Sequence, residues 1–348
     1  MNQQYQNEEI ALRHTLVEDN VVVPDVEQEL DLLHQRIDAK PQHYRRNLVL
    51  AFITGAAALL LAFLMCKPVM RMMQSHETMQ TAVAQGGVSI KDGEGNVYLI
   101  ALETDRERLL CDYGVMVYSD DKIALPASLP GLSDAREGKL TISTSRQAEC
   151  HVLLSDGSEV WLNGNTNLEM STLFEKEKRD VYLSGEAYFK VTKDKNRQFS
   201  VYTEKMVTNV TGTEFLIRSY PGEECSVTLV KGSVKTRNIA TNETKELVPG
   251  EKMTIAIDGS HEVCGVKTAV LSDRTDGFFC YDNETLEFIL RDIARWFGCD
   301  MRIENTASAA VHLYFEADKH DSLEEIVNLL NSLSSAKVEV ADSVLIIK

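Results

Sequence analysis

Apolar positions recur with different periods in successive parts of this 348-residue chain. Behind Pro24-Asp25, the residues Val26, Leu30, Leu33 and Ile37 fall at helical spacing and predict one apolar stripe on a helix of about three turns. From Asn47 to Cys66 (NLVLAFITGAAALLLAFLMC) twenty residues pass without a charge. A helix of that length rises about 30 Å, the thickness of a bilayer's hydrocarbon core, so residues 47–66 predict a transmembrane helix. A buried core helix seldom lacks every charge for so long, and a cleaved leader would not follow a 46-residue polar tail. Residues 67–85, rich in Met, read as a juxtamembrane stalk.

From Gly86 the period falls to two. Val88–Lys91, Asp92-Gly93 and Val97–Leu99 predict a strand, a turn and a strand, and the unit recurs at 152–162 as VLLSDGSEVWL. Residues 86–135 are therefore expected to form a β extension, closed by a linker at 126–131, PASLPG. Residues 136–260 continue as short alternating runs (VYLS, AYFKVT, FSVYT, MVTNV, EFLIRSY, SVTLV, SVKT, KMTIAI) and predict an all-β sandwich or barrel with no room for crossover helices. Gly185-Glu186 is expected where two of these strands meet, with the glutamate exposed or bonded to backbone amides rather than catalytic.

Residues 272–348 change period again and predict a small α+β unit in the order β-α-β-β-α-β-β. Its first helix places Leu286, Ile289, Leu290, Ile293 and Phe297 on one face. Its second opens with Ser322 and Glu325 at capping-box spacing and is expected to bury Leu323, Ile326, Val327, Leu330 and Leu333. The chain is thus multidomain: a helical tail at 1–46, one membrane helix, an all-β domain and a small α+β domain.

A net charge of −17 excludes a general nucleic-acid binder, because phosphate contacts need clustered Lys and Arg. In the fifteen-residue flanks of the apolar run, four basic residues lie before it (Arg36, Lys40, Arg45, Arg46) and two after it (Lys67, Arg71), which puts the tail in the cytoplasm and the bulk of the chain outside. Six of the seven cysteines lie on that outer side, where disulfides persist; the alternative is that most are free and buried as small apolar groups. The tail carries nine acids and five bases, and its stripe has nothing of its own to cover it, so an acidic amphipathic helix is expected to seek a partner protein rather than lipid headgroups. Cys-x-x-Cys, His-Glu-x-x-His and a phosphate-binding glycine loop are all missing from the sequence, so no metal or cofactor is expected. Trp161, Tyr182 and Tyr188 have the chemistry to stack on a sugar, yet aromatics at such spacing are more often inter-strand partners.

LSDGSEVWLN (154–163), RDVYLSGEAYFKVTKD (179–194), VTGTEF (210–215), VTLVKGSVK (227–235) and LVPGEKM (247–253) occur in an order that resembles the periplasmic FecR-like domain of transmembrane anti-sigma factors. The α+β unit, with RWFG at 295–298, resembles the C-terminal domain of such proteins, related to the secretin and TonB short N-terminal domain. The resemblance implies a single-pass protein of the bacterial inner membrane. Its tail would hold an extracytoplasmic-function sigma factor through Val26, Leu30, Leu33 and Ile37, and its periplasmic part would take a signal from a TonB-dependent outer-membrane receptor. It marks Asp156, Gly157, Trp161, Gly185, Glu186, Tyr188, Phe189 and Trp296 as family-signature residues. It also raises self-cleavage at Gly212-Thr213, by attack of the threonine hydroxyl on the preceding carbonyl, against the plainer reading of a glycine kink between strands. Apart from that bond the chain is not expected to be an enzyme. The reading from another class is a membrane-anchored periplasmic module that binds glycan or envelope protein, for which the tail stripe would have no use.

Overall fold

The computed structural model describes residues 27, 31, 87–125, 138–171, 179–271 and 277–348. Two compact units divide the chain, Met1–Gln74 and Ser75–Lys348. In the first, only Glu27 and Asp31 are described, both helical and exposed. The stripe residues Val26, Leu30, Leu33 and Ile37, the membrane run 47–66, the stalk and the 126–131 linker lie outside the described residues, among which no helix is long and apolar enough to cross a membrane.

The second unit opens with β1 (Val88–Asp92) and β2 (Val97–Leu99), the expected hairpin. A helix follows that the hydrophobic pattern did not announce, α1 (Glu103–Tyr113), and then β3 (Met116–Ser119) and β4 (Lys122–Ala124). The expectation of strands alone over 86–135 is corrected by α1. Only Leu109 and Tyr113 of this helix are buried, too few to mark a stripe, and Gly114 closes it in the left-handed conformation.

Thirteen strands follow: β5 (Lys139–Thr144), β6 (Cys150–Leu153), β7 (Glu159–Leu162), β8 (Asn167–Ser171), β9 (Arg179–Lys190), β10 (Phe199–Tyr202), β11 (Met206–Val210), β12 (Glu214–Ser219), β13 (Cys225–Lys231), β14 (Val234–Asn238), β15 (Thr244–Leu247), β16 (Glu251–Ile255) and β17 (His261–Gly265). Their pairings build two sheets, β2-β1-β5-β8-β9-β10-β11-β14-β15 and β3-β4-β6-β7-β9-β12-β13-β16-β17. One strand, β9, stands in the middle of both. The residues that alternate inward from the two sheets close a single core around Ile90, Leu140, Ile142, Phe189, Phe199 and Phe215, with Phe189 and Phe215 stacked at 5.0 Å.

A short 3-10 turn at Ala269–Leu271 precedes the α+β module: β18 (Phe278–Thr285), α2 (Leu286–Phe297), β19 (Asp300–Ile303), α3 (Thr306–Ala309), β20 (His312–Asp318), α4 (Leu323–Leu333), β21 (Val338–Ala341) and β22 (Val344–Ile347). The expected order gains one element, the single turn α3, which Asn305 caps through its side chain onto the amides of Ala307 and Ser308. The Ser322/Glu325 capping box of α4 is present, whereas the two ends of the helix depart from the expected burial: Leu333, its last residue, is 53% exposed and Leu323, its first, is half-buried. The module has its own core, with Leu286, Ile289, Leu290 and Ile293 of α2 fully buried. The six described cysteines are all free; Cys150, Cys225 and Cys280 are buried.

Candidate functional site at the junction of two modules

The stretch VYLSGEAYFK is one continuous strand, not the meeting point of two. In its first half β9 pairs with β8 and, in parallel, with β10. From Gly185 onward it pairs with β7 and β12 in the other sheet. Gly185 carries the crossover at φ +123°, where a Cβ would meet the Thr166 Cα at 2.7 Å. The Thr166 hydroxyl in turn accepts the Glu186 amide at 3.0 Å. Glycine is the residue that both the dihedral and the close approach allow.

Asp156-Gly157 forms the β6–β7 turn, with Gly157 at φ +79°. The Asp156 carboxylate accepts the Ser158 amide and hydroxyl and pairs with the fully buried Arg179 at 2.7 Å. Arg179 also donates to the carbonyls of Thr192 and Arg197, so one guanidinium fastens the turn to the start of β9 and to the chain leaving it. Phe189 lies in the core. These signature positions support the β framework.

Glu186 does more. It is buried, accepts the Asn163 side-chain amide at 3.2 Å, and pairs with Arg218 on the adjacent strand β12 at 3.1 Å. Arg218 is itself buried and reaches Glu223 at 3.1 Å and Asp292 of α2 at 2.5 Å. Arg295, one turn along α2, bonds Asp292 at 2.6 Å, pairs with Glu223, and lies over the Tyr220 ring at 3.8 Å. Burial works against the Arg218 charge, but Asp292 and Glu186 outweigh it and hold the guanidinium protonated well above its ordinary range. Burial, with Glu186 beside it, pushes the Tyr220 phenol up, and its hydroxyl donates to the Gly164 carbonyl at 3.0 Å.

Trp296 completes the junction from the module side. Its indole N–H donates to the Lys319 carbonyl at 3.2 Å, and its ring lies against Gly164, where a Cβ would stand 3.1 Å from it. Lys319 pairs with Glu149 and donates to Asn163 at 3.2 Å, and the Asn165 side-chain amide donates to the Arg295 carbonyl at 3.0 Å. The GEAYF and RWFG segments, more than a hundred residues apart in the chain, thus meet around Arg218. Arg218, Glu223 and Asp292 escaped the reading of the sequence. The available signal was a charge at a position whose neighbours are buried: Arg218 after the strand run EFLI, and Asp292 beside Ile289 and Ile293 on the apolar face of α2.

Beside the junction a cleft of about 390 Å³ is lined by Lys122, His151, Trp161, Tyr188, Glu149 and Lys319, among others. His151 and Trp161 stack at 4.4 Å, and Tyr188 sets its ring at 68° to the indole from the other neighbouring strand. One face of Trp161 is thus stacked on His151 across the strands, the ladder contact expected of aromatics at this spacing. Tyr182 likewise stacks on Tyr202 at 5.0 Å. Gly212 adopts φ +153° and lies under Lys193, whose Cα is 2.6 Å from where a Cβ would be, and the buried Thr213 hydroxyl donates to the Ser233 carbonyl at 2.9 Å. Among the described residues no group of His, Cys, Asp or Glu is placed to hold a metal.

Two family models match the chain: FecR protein over residues 140–235 and FecR, C-terminal, over residues 278–347. The structure is similar to two crystal structures, at 1.65 and 2.50 Å resolution, of a protein from Parabacteroides distasonis provisionally described as an anti-sigma factor. Identity is 22% in both, with TM-scores of 0.54 and 0.53, and the likeness covers 60% of this chain and 98% of the other. No curated protein matches the chain. The chain thus carries a FecR segment and a FecR C-terminal segment in order, and Glu186 of the first and Trp296 of the second both lie at the junction.

Proposed function

We propose that this protein is an anti-sigma factor of the bacterial inner membrane, with a cytoplasmic N-terminus and a single membrane helix at 47–66. The tail 1–46 binds an extracytoplasmic-function sigma factor through Val26, Leu30, Leu33 and Ile37. The sandwich and the α+β module receive, in the periplasm, a signal from the signalling domain of a TonB-dependent receptor, and sigma-dependent uptake genes follow. The observation that carries this reading is the succession of a FecR segment and a FecR C-terminal segment behind an acidic, striped tail and an uncharged run of membrane length. The likeness to the Parabacteroides distasonis protein agrees with it. The proposal needs no chemistry at Gly212-Thr213, no cofactor and no direct contact with nucleic acid.

A transcriptional reporter driven by the cognate sigma factor tests it. Expression of the full chain is expected to silence the reporter, and Leu30→Asp/Leu33→Asp, which sets two charges on the stripe, is expected to restore it several-fold at equal protein level. A reporter indifferent to the chain would overturn the proposal.

A further inference from the structure

The sandwich and the module each close a core of their own, and neither core crosses the junction. What joins them is mostly polar: the Arg218–Asp292, Arg295–Glu223 and Lys252–Glu284 pairs, Lys319 on Glu149 and Asn163, one backbone carbonyl taken by Asn165, an indole laid on a glycine, and the rings of Phe288 and Tyr220 set against Arg218 and Arg295. An apolar interface would hold the two together by burial and would expose that surface to water if opened. A charged one is a weak source of net stability, because desolvation offsets most of the attraction between the partners.

The distribution of partners is the informative part. Arg218 bonds Glu186 and Glu223, both of the sandwich, as well as Asp292 of the module. Asp292 bonds Arg295 and the Tyr281 hydroxyl, both of the module, as well as Arg218. If the module lifts away, Arg218 keeps two carboxylates and Asp292 keeps a guanidinium and a phenol. Removing one partner of a buried pair is strongly destabilising because it strands a charge, and here separation strands neither. We propose that this cluster is a reversible latch: the α+β module docks on the sandwich through a central Arg218–Asp292 pair whose two members each keep partners on their own side, so the two separate without unfolding. On the anti-sigma reading, on which only this consequence rests, a partner that engages the module acts by shifting the docked population toward the open one.

The chain has two tryptophans, and one of them, Trp296, lies in the junction. In full-length protein carrying Trp161→Phe, Trp296 is the sole tryptophan and reports on docking. Two further variants open the latch by different means. Asp292→Asn weakens the charge link, and Gly164→Leu drives a side chain into the indole at a backbone position that tolerates one. Both are expected to shift Trp296 emission to the red and raise its quenching by acrylamide several-fold, with the far-ultraviolet circular dichroism of the parent. Trp296 shielded as in the parent in both variants would overturn the latch, and so would loss of secondary structure on opening, since the modules would then not be separable. The readout contains no sigma factor, so a failed anti-sigma reading leaves it unchanged.

Discussion

Gly185 sits where β9 leaves one sheet and enters the other, and its demands are the strictest of any signature residue. Replacing it by Ala sets a Cβ 2.7 Å from the Thr166 Cα at φ +123°. Strain of this kind costs about 1–3 kcal/mol, and overpacking adds a similar amount. Gly185→Ala is therefore expected to destabilise the sandwich by about 3 kcal/mol, read as a lower denaturant midpoint at unchanged slope. Asp92 offers a test in pH. Burial opposes its charge, but the Asn96, Tyr113 and Tyr98 side chains hydrogen-bond the carboxylate and bring its pKa from 3.8 down to about 2. The folded value lies below the unfolded one, so this carboxylate stabilises the fold fully above its ordinary pKa, and the contribution fades as the pH falls toward about 2. The gap in denaturation midpoint between the parent and Asp92→Asn should narrow between about pH 5 and pH 2. A constant gap would show that the ionised form is not what the hydrogen bonds select.

Elements were legible in the sequence where burial follows a period. Several strands of the sandwich alternate clearly enough to be read from the sequence, as in Val181-Tyr182-Leu183-Ser184, and α2 and α4 show their stripes and, for α4, its cap. The helix α1 was not legible, since ETDRERLLCDY buries two side chains and resembles a polar loop. The crossing of β9 was hidden for another reason. Alternation tells which face of a strand is buried and says nothing of which strands lie beside it, so a strand shared by two sheets reads like any other. Gly185 was the one local sign, and a glycine within a strand marks a bulge or a close approach as readily as a crossover. The junction was the least legible part. A buried Arg218 between Glu186 and Asp292 is a matter of tertiary placement, and its four-residue run EFLI gives no hint of a partner 74 positions away.

For the molecule as a whole, the residues by which the family is recognised divide between two tasks. Asp156, Gly157, Gly185 and Phe189 build the crossed sandwich, whereas Glu186 and Trp296 bring the module onto it. A polar junction between two closed cores is the arrangement expected of parts that move relative to one another. It suits a protein that relays an event from one end to the other better than one that only anchors a binding surface. On the anti-sigma reading proposed above, the other end of the chain holds a sigma factor. The most direct measurement is therefore capture: the full chain, purified under conditions that keep it intact, against the extracytoplasmic-function sigma factors encoded near it, with Leu30→Asp/Leu33→Asp in parallel. One sigma factor retained by the parent and lost in the double variant is the expected result. A parent chain that retains none of them, or a double variant that retains the same one, would contradict the anti-sigma account and leave the envelope-binding module as the better reading.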